Sequence, residues 1–323
     1  MTLPSLVRRT AGPATTVAVV AGGLAAAWFT MHRASPAVRA WNPGAGAAHP
    51  PSPLAARVHG DGETVVVMLS GLASSGLLWG SQFDGIGDRA TMVALDPLGF
   101  GASQGSPWTA GSVEDAHVAA IDRTLESLGL AGRPTIAVGH SFGANLALRW
   151  AARTPSVRGV VALSAPLFSH HREADERIAQ MGWMESLLAN GRVARRLCRW
   201  MCTHPRAAAG AAVALSPQLP AAVAAASIQH SWSTYLANFD GIVRDGGWRG
   251  AVDELHRRKV PVVFVYGRRD AVRVPGRLEA IADGSPEVQV RLVSGSHQLP
   301  LIDAPTCVGA IERMIVAVQV RSR

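Results

Sequence analysis

A serine, an aspartate and a histidine stand in settings where each could take part in nucleophilic catalysis. Ser141 is the centre of a Gly-His-Ser-Phe-Gly pentapeptide, residues 139–143, that follows an apolar run and precedes a helical pattern. Asp270 ends the stretch Tyr-Gly-Arg-Arg-Asp, and His297 ends Gly-Ser-His. A serine hydroxyl attacks a carbonyl efficiently only when a base takes its proton, and that base needs an orienting acid. The three residue types therefore predict acyl transfer through a serine.

The elements that must position these residues alternate along the chain. Short, mostly apolar runs predict strands at residues 64–69, 91–94, 134–138, 159–163, 261–266 and 289–293. Longer patterns predict helices at residues 112–128, 142–152, 275–282 and 304–318. This alternation is typical of a parallel sheet covered by helices, and strands that are apolar throughout fit a sheet buried on both faces. Because ligands gather at the carboxyl ends of such strands, Ser141, Asp270 and His297 are expected to meet at that edge.

The context of the pentapeptide makes it more informative than its letters alone. A strand, a tight turn and a helix in direct succession are what a nucleophile elbow requires. Glycines on either side of Ser141 allow the strand and helix backbones to approach closely, and the helix amino terminus favours developing negative charge. The alternative is a glycine-flanked helix start with an idle serine.

The alternation stops between residues 165 and 250, where helical patterns occur without a strand signal. We interpret this stretch as a helical cap inserted into a core made of residues 55–164 and 251–323. One of its helices, residues 192–201, has a basic and an apolar face. The basic face carries Arg192, Arg195, Arg196 and Arg199, and the apolar face carries Val193, Leu197, Trp200 and Met201. Such a helix could touch anionic lipid or an acidic substrate, or it could expose its basic face to solvent.

From about residue 55 to its end, the chain resembles the α/β-hydrolase superfamily, and looks most like the capped esterases, lipases and C–C hydrolases. The pentapeptide, Tyr-Gly-Arg-Arg-Asp and Gly-Ser-His occur in the family's order. Residues 96–103 are similar to its D-x-x-G-x-G-x-S turn, and residues 70–75 to its oxyanion loop, although Ser70 replaces the usual histidine. The resemblance implies an α/β-hydrolase fold, a mostly parallel sheet flanked by helices.

The resemblance also implies a role for each candidate residue. Ser141 would be the nucleophile, His297 the base and Asp270 the orienting acid. The backbone amides of Leu72 and Phe142 would stabilise the oxyanion, since preorganised donors act on charge that develops in the transition state. Two other acids are expected to be structural: Asp96 shapes its turn, and Asp303 caps the last helix.

The function that follows is hydrolysis of a carboxylic ester or related acyl bond in a small, apolar molecule. An acyltransferase, a perhydrolase or a C–C bond hydrolase would use the same triad. A catalytically inactive binding or scaffold protein on this fold is the alternative of another class. Serine at the elbow argues against dehalogenases and epoxide hydrolases, whose nucleophile is an aspartate. No metal or organic cofactor is expected, and the oligomeric state stays open.

Residues 1–35 form a hydrophobic segment. No charged residue occurs from Thr10 to Met31, and Arg8 and Arg9 precede this stretch. The pattern predicts a signal anchor that holds the protein to a membrane by one helix, or a cleaved signal peptide of an exported protein; a helix packed on the domain is the remaining alternative. Residues 36–54 are rich in proline, glycine and alanine and predict a linker.

Charge and cysteine content exclude two further classes. The formal net charge is +8, which would attract polyanions, but no nucleic-acid-binding motif accompanies it, so no nucleic acid partner is expected. The three cysteines do not form the even set that a disulfide-stapled secreted domain would have.

Overall fold

The computed structural model of the chain describes residues 35–109, 111–180 and 191–321. Its strands are β1 (Ala47–His49), β2 (Ala56–His59), β3 (Val65–Leu69), β4 (Thr91–Leu95), β5 (Thr135–His140), β6 (Val157–Leu163), β7 (Val262–Gly267) and β8 (Val288–Val293). Over these described ranges they form one sheet in the order β1-β2-β4-β3-β5-β6-β7-β8. Strands β3 to β8 run parallel, which confirms the predicted mostly parallel sheet.

The helices are α1 (Pro36–Arg39), α2 (Val113–Ser127), α3 (Phe142–Arg153), α4 (His171–Ala179), α5 (Gly191–Thr203), α6 (Pro205–Leu215), α7 (Ala221–Ala226), α8 (Trp232–Asn238), α9 (Trp248–Arg257), α10 (Arg277–Asp283), α11 (Leu299–Ile302) and α12 (Ala304–Arg321). A π-helical turn, Phe239–Val243, follows α8 directly. The six predicted strands and four predicted core helices are all present, with ends shifted by at most three residues.

Helices cover both faces of the sheet, as the uniformly apolar strands require. In β3, Val65, Val67 and Leu69 contribute to the core shared with α2, α3, α9 and α10. Val66 and Met68, which alternate with them, contribute to the core shared with α11 and α12. All five side chains are fully buried, because successive residues of a strand point to opposite faces and both faces are covered.

Two strands at one end of the sheet, β1 and β2, were missed by the sequence prediction. β2 pairs antiparallel with β4, and β1 pairs antiparallel with β2. Residues 36–54, expected to be a linker, therefore contain β1 and the short helix α1, which Ser35 caps. The three residues of β1 are at least partly exposed and are held by backbone pairing. The sequence therefore has no alternating apolar pattern from which this strand could be predicted.

The predicted N-terminal hydrophobic segment, residues 1–35, lies outside the described residues except for Ser35, and its membrane role stays a prediction. In the ranges that the structure does describe, no helix has both the length and the apolar composition needed to cross a bilayer.

The segment between β6 and α9 lies at the carboxyl ends of the strands and is held to the helix that follows the serine. Arg149 of α3 is 2% exposed and forms ion pairs with Glu114 and Asp245. It also donates hydrogen bonds to the carbonyl oxygens of Gly241 and Ile242, at 3.3 and 2.9 Å. The π-helical turn of the cap is thereby fixed to the core.

We expect Arg149→Met to lower the free energy of unfolding by about 3 kcal/mol or more, because a buried cation with two ion pairs is removed. Asp245 loses its partner, and Glu114 keeps only Arg153. The matched control is Arg153→Met on the same helix. Arg153 pairs with Glu114 and Asp115 but is 44% exposed, so its loss should cost less than about 1 kcal/mol. Urea unfolding measures both variants, and equal losses would contradict the clamping role.

Candidate active site

Ser141 lies in a strained turn between β5 and α3. Its backbone has φ 55° and ψ −123°, values that a residue with a side chain rarely adopts. A Cβ on Gly139 would lie 2.1 Å from the carbonyl oxygen of Gly143, and a Cβ on Gly143 would lie 2.3 Å from that of Leu69. Only glycine fits at either position, so the two glycines of the pentapeptide are a steric requirement of the turn.

The structure brings the three predicted residues together in one hydrogen-bonded chain. The Nε2 atom of His297 lies 3.0 Å from the hydroxyl oxygen of Ser141. The Nδ1 atom of His297 lies 3.1 and 3.3 Å from the two carboxylate oxygens of Asp270. If Nδ1 carries the proton and donates it to the carboxylate, Nε2 is free to accept the serine proton. This is the geometry that a nucleophile, a base and an orienting acid need.

Asp270 follows β7 and is 5% exposed. The backbone amide of Val272 donates to its Oδ1 atom at 3.1 Å. Burial alone would raise the pKa of this carboxyl group, but the hydrogen bond from His297 and the favourable charge of that ring outweigh it, so the pKa lies below its usual value. Asp270 is therefore an anion at neutral pH.

A second histidine, which the sequence analysis did not single out, supports the first. His140 is the residue before the serine, and its Nε2–H donates to the backbone carbonyl of His297 at 2.8 Å. Burial, and next the neighbouring charge of His297, lower the pKa of His140 to about 3. A neutral His140 therefore holds the loop that carries His297. The only sequence signal was its position inside the pentapeptide.

The two residues predicted to supply oxyanion donors lie at the same cavity. Leu72 and Phe142 both line the cavity at Ser141. Phe142 is the first residue of α3, so its N–H has no partner within the helix. Among the described residues, no backbone hydrogen bond uses either amide. Both donors are thus available to an oxygen bound beside Ser141.

The other two acids have structural contacts. Asp96 accepts hydrogen bonds from the amides of Gly76 and Ala102, at 2.6 and 2.7 Å, and so ties together the loops after β3 and β4. Asp303 precedes α12 and accepts from the amide of Thr306 at 3.4 Å. Neither acid is among the residues that line the cavity at Ser141.

A cavity of about 330 Å³ extends from Ser141 into the cap. Its lining includes no aspartate, glutamate, lysine or arginine among the described residues. His230 lies in its wall beside the rings of Phe100 and Tyr235, and burial lowers its pKa to about 4, so it too is neutral at pH 7. The cap supplies a predominantly apolar wall: Phe168, Ile178, Leu197, Trp200, Met201, Leu215, Leu219, Val223, Phe239 and Val243.

No group of three or more histidine, cysteine, aspartate or glutamate side chains that could hold a metal ion occurs within the part of the chain that the structure describes. Cys198 and Cys202 of α5 are free thiols, and both lie near the carbonyl oxygen of His230, at 3.8 and 3.5 Å.

Comparison with known proteins places the chain in a family. A family model described as the alpha/beta hydrolase fold matches residues 64–305, which is most of the 323-residue chain. The chain therefore belongs to the α/β-hydrolase fold family, as its motifs predict. Within that family it is a hydrolase, a class that its structural neighbours also represent.

Individual relatives are more distant. Over 98 residues the chain is 37% identical to a cis-3-alkyl-4-alkyloxetan-2-one decarboxylase of Xanthomonas campestris, a match that covers 28% of this chain and 32% of that protein. Over 283 residues it is 24% identical to a 1-acylglycerol-3-phosphate O-acyltransferase of Arabidopsis thaliana, with 76% and 64% covered. The chain thus spans less than two thirds of the length of either relative.

Among solved structures, a thermophilic esterase of Thermogutta terrifontis superposes with a TM-score of 0.55 at 20% identity, and the match covers 82% of this chain and 93% of that one. At this identity the likeness shows a shared fold.

Proposed function

We propose that this hydrolase cleaves a carboxylic ester or related acyl bond through an acyl-enzyme on Ser141. The observation that carries the proposal is the hydrogen-bonded chain from Ser141 through His297 to Asp270, at 3.0 and 3.1 Å. Each residue lies beyond the carboxyl end of a different strand, and the chain ends on a buried anion. That arrangement activates a serine, which is otherwise a weak nucleophile.

The proposed reaction has two half-reactions. The hydroxyl oxygen of Ser141 attacks the substrate carbonyl while Nε2 of His297 takes its proton. His297 then gives that proton to the departing alcohol oxygen, and the acyl group remains on Ser141. A water molecule enters, loses a proton to His297 and attacks the acyl-enzyme, which releases the acid. Asp270 stays ionised throughout and stabilises the imidazolium that forms twice.

The amides of Leu72 and Phe142 are the proposed oxyanion donors. Support comes from their place in the cavity wall beside Ser141 and from the absence of another backbone partner among the described residues. The amino terminus of α3 adds a favourable dipole at the same point. Removing one such donor typically costs roughly 10²- to 10³-fold in kcat, so the pair would supply a large part of the rate enhancement.

The substrate proposed is an uncharged acyl compound with an apolar acyl group. Its support is the apolar wall of the cavity and the lack of ionised side chains in the described lining. An anionic acyl group would lose hydration in this space without gaining a cationic partner.

The test is reaction with a fluorophosphonate probe followed by peptide mapping of the labelled site. The native protein should be labelled within minutes, and the label should be found on the peptide that contains Ser141. Heat-denatured protein is the control and should not react, because labelling needs an activated serine rather than a serine alone. No labelling of native protein, or a label on another serine, would overturn the proposal and favour a binding or scaffold role.

Acyl transfer to an acceptor other than water is the second candidate. It is favoured by the likeness, over 76% of this chain, to a protein named as an acyltransferase. Both candidates share the acyl-enzyme and differ in the molecule that attacks it. Product analysis in the presence of a primary alcohol separates them, since a transferase forms the new ester in preference to the free acid.

A further inference from the structure

The outer side of the two cap helices α5 and α6 combines exposed arginines with exposed apolar side chains. We call this the cap surface and define it by Arg195, Arg196, Arg199, Arg206, Trp200 and Leu215. All four arginines are exposed. Trp200 is 42% and Leu215 is 54% exposed, and large apolar side chains with such exposure are few among the described residues.

The charge of this region has one sign. Residues 191–239 contain five arginines and no aspartate or glutamate. Elsewhere in the described chain, Arg149, Arg153, Arg244 and Arg277 are paired with carboxylates. In contrast, no carboxylate of a described residue forms an ion pair with an arginine of the cap surface. Three of these arginines, at positions 195, 196 and 199, share one face of α5, so their fields add outside the protein.

The apolar part of the cap surface is continuous with the catalytic cavity. Trp200 and Leu215 are exposed, and both also line the cavity that reaches Ser141. On α5 the cavity-lining residues are Leu197, Trp200 and Met201. These three side chains lie within about one turn of the helix, on the side away from the arginines. An apolar chain that contacts Trp200 from outside therefore touches the wall of the cavity that contains the nucleophile.

We propose that the cap surface docks on an anionic lipid bilayer, from which an acyl substrate enters the cavity. Arginines bind the headgroup phosphates, while tryptophan and leucine enter the interface, where such side chains are stabilised. A nucleic acid would satisfy the arginines but would leave Leu215 and the path to the cavity unexplained. This proposal rests on the proposed function, because it names the lipid bilayer as the source of the acyl substrate that Ser141 would cleave.

The test uses the full chain carrying Ser141→Ala, so that no turnover occurs, and vesicles of phosphatidylcholine with or without 30 mol% phosphatidylglycerol. The quantity measured by flotation is the ratio of the two partition coefficients. Residues 1–35 are the same in every variant, so any contribution that they make to vesicle binding is common to all of them. The triple substitution R195Q/R196Q/R199Q should reduce this ratio roughly 100-fold, since each arginine near an anionic surface contributes roughly a factor of five.

The matched control is R89Q/R123Q/R158Q, which removes the same charge from exposed positions away from the cap. Arg89 and Arg158 lie at the amino-terminal ends of β4 and β6, opposite the site. This variant should change the ratio less than about threefold. Equal effects of the two triple substitutions would overturn docking, as would a ratio near one before any arginine is replaced.

A second measurement covers the case in which residues 1–35 hold every variant on the vesicles. With Ser141 intact, the cap variant should hydrolyse a long-chain ester in phosphatidylglycerol vesicles at least about tenfold more slowly than the control variant. Both variants should hydrolyse a soluble short-chain ester equally.

Three outcomes would contradict one of the proposals. Equal rates on vesicles would overturn docking. If the protein bound duplex DNA and only the cap variant lost that binding, the cap surface would be assigned to nucleic acid. Failure to hydrolyse any ester while flotation depends on the cap arginines would overturn only the proposed function.

Discussion

Ser141→Ala is expected to fold as the native chain does and to turn over esters roughly 10⁶-fold more slowly, the loss typical of removing a nucleophile from a complete triad. The physical reason is that no other described hydroxyl lies against Nε2 of His297, 3.0 Å from Ser141. The close backbone contacts of the turn are at Gly139 and Gly143, so removing the hydroxyl group of Ser141 does not change them. Stability should therefore change little.

The measurement is kcat for a nitrophenyl ester, together with the midpoint of thermal unfolding. Ser74→Ala is the matched control, since Ser74 also lines the cavity but is absent from the hydrogen-bonded chain. Its kcat should stay within about tenfold of the native value. If Ser141→Ala kept a tenth or more of the native kcat, a different nucleophile or a mechanism without an acyl-enzyme would have to be considered.

Asp270→Asn is expected to lower kcat by roughly 10⁴-fold with little change in fold, the loss known for the corresponding change in other serine triads. The amide of Val272 donates to Oδ1 of this residue, so an asparagine would keep its carbonyl oxygen there. Its NH₂ group would then face Nδ1 of His297, now 3.3 Å from Oδ2. That contact favours the ring tautomer with the proton on Nε2, which cannot accept the serine proton. The anion that stabilises the imidazolium is lost as well.

The control for this prediction is Asp303→Asn. Asp303 is six residues after His297 but contacts the start of α12 instead of the ring. Its replacement should reduce kcat less than about tenfold and change the stability little, because asparagine caps a helix about as well as aspartate. A pH profile of kcat for both variants tests the tautomer argument, because only Asp270→Asn should change the limb that reports on the base. A large loss for Asp303→Asn with a small one for Asp270→Asn would reverse the assignment of the acid.

The strands and helices of the core could be predicted because their signals are local. β3 and residues 262–266 of β7 are uninterrupted apolar runs, which only a sheet covered on both faces can bury. The turn at Ser141 was predictable because its glycine pattern is local, although the clash that excludes a side chain at Gly143 is with Leu69 of the neighbouring strand β3. The order of serine, acid and histidine along the chain added the expectation that they meet, and the structure places them within hydrogen-bonding distance.

Contacts between distant segments were not predictable in this way. β1 pairs with β2 through backbone groups, which every sequence carries, so no side-chain pattern marks it. His140 contacts a carbonyl group 157 residues further along the chain, and Arg149 binds carbonyl groups more than 90 residues away. Such contacts form only after the sheet has brought the segments together.

The sequence by itself determined the elbow, the parallel core and the candidates Ser141, Asp270 and His297, because the glycine pattern and the apolar runs are each contained in a short stretch of sequence. Only the tertiary structure decided how the cap meets that core. It closes an apolar cavity above Ser141 and leaves Arg195, Arg196 and Arg199 exposed to solvent, an outcome that depends on the contacts of Arg149 and on how several helices pack at once. Packing of that kind is a property of many long-range contacts together, which no local pattern encodes.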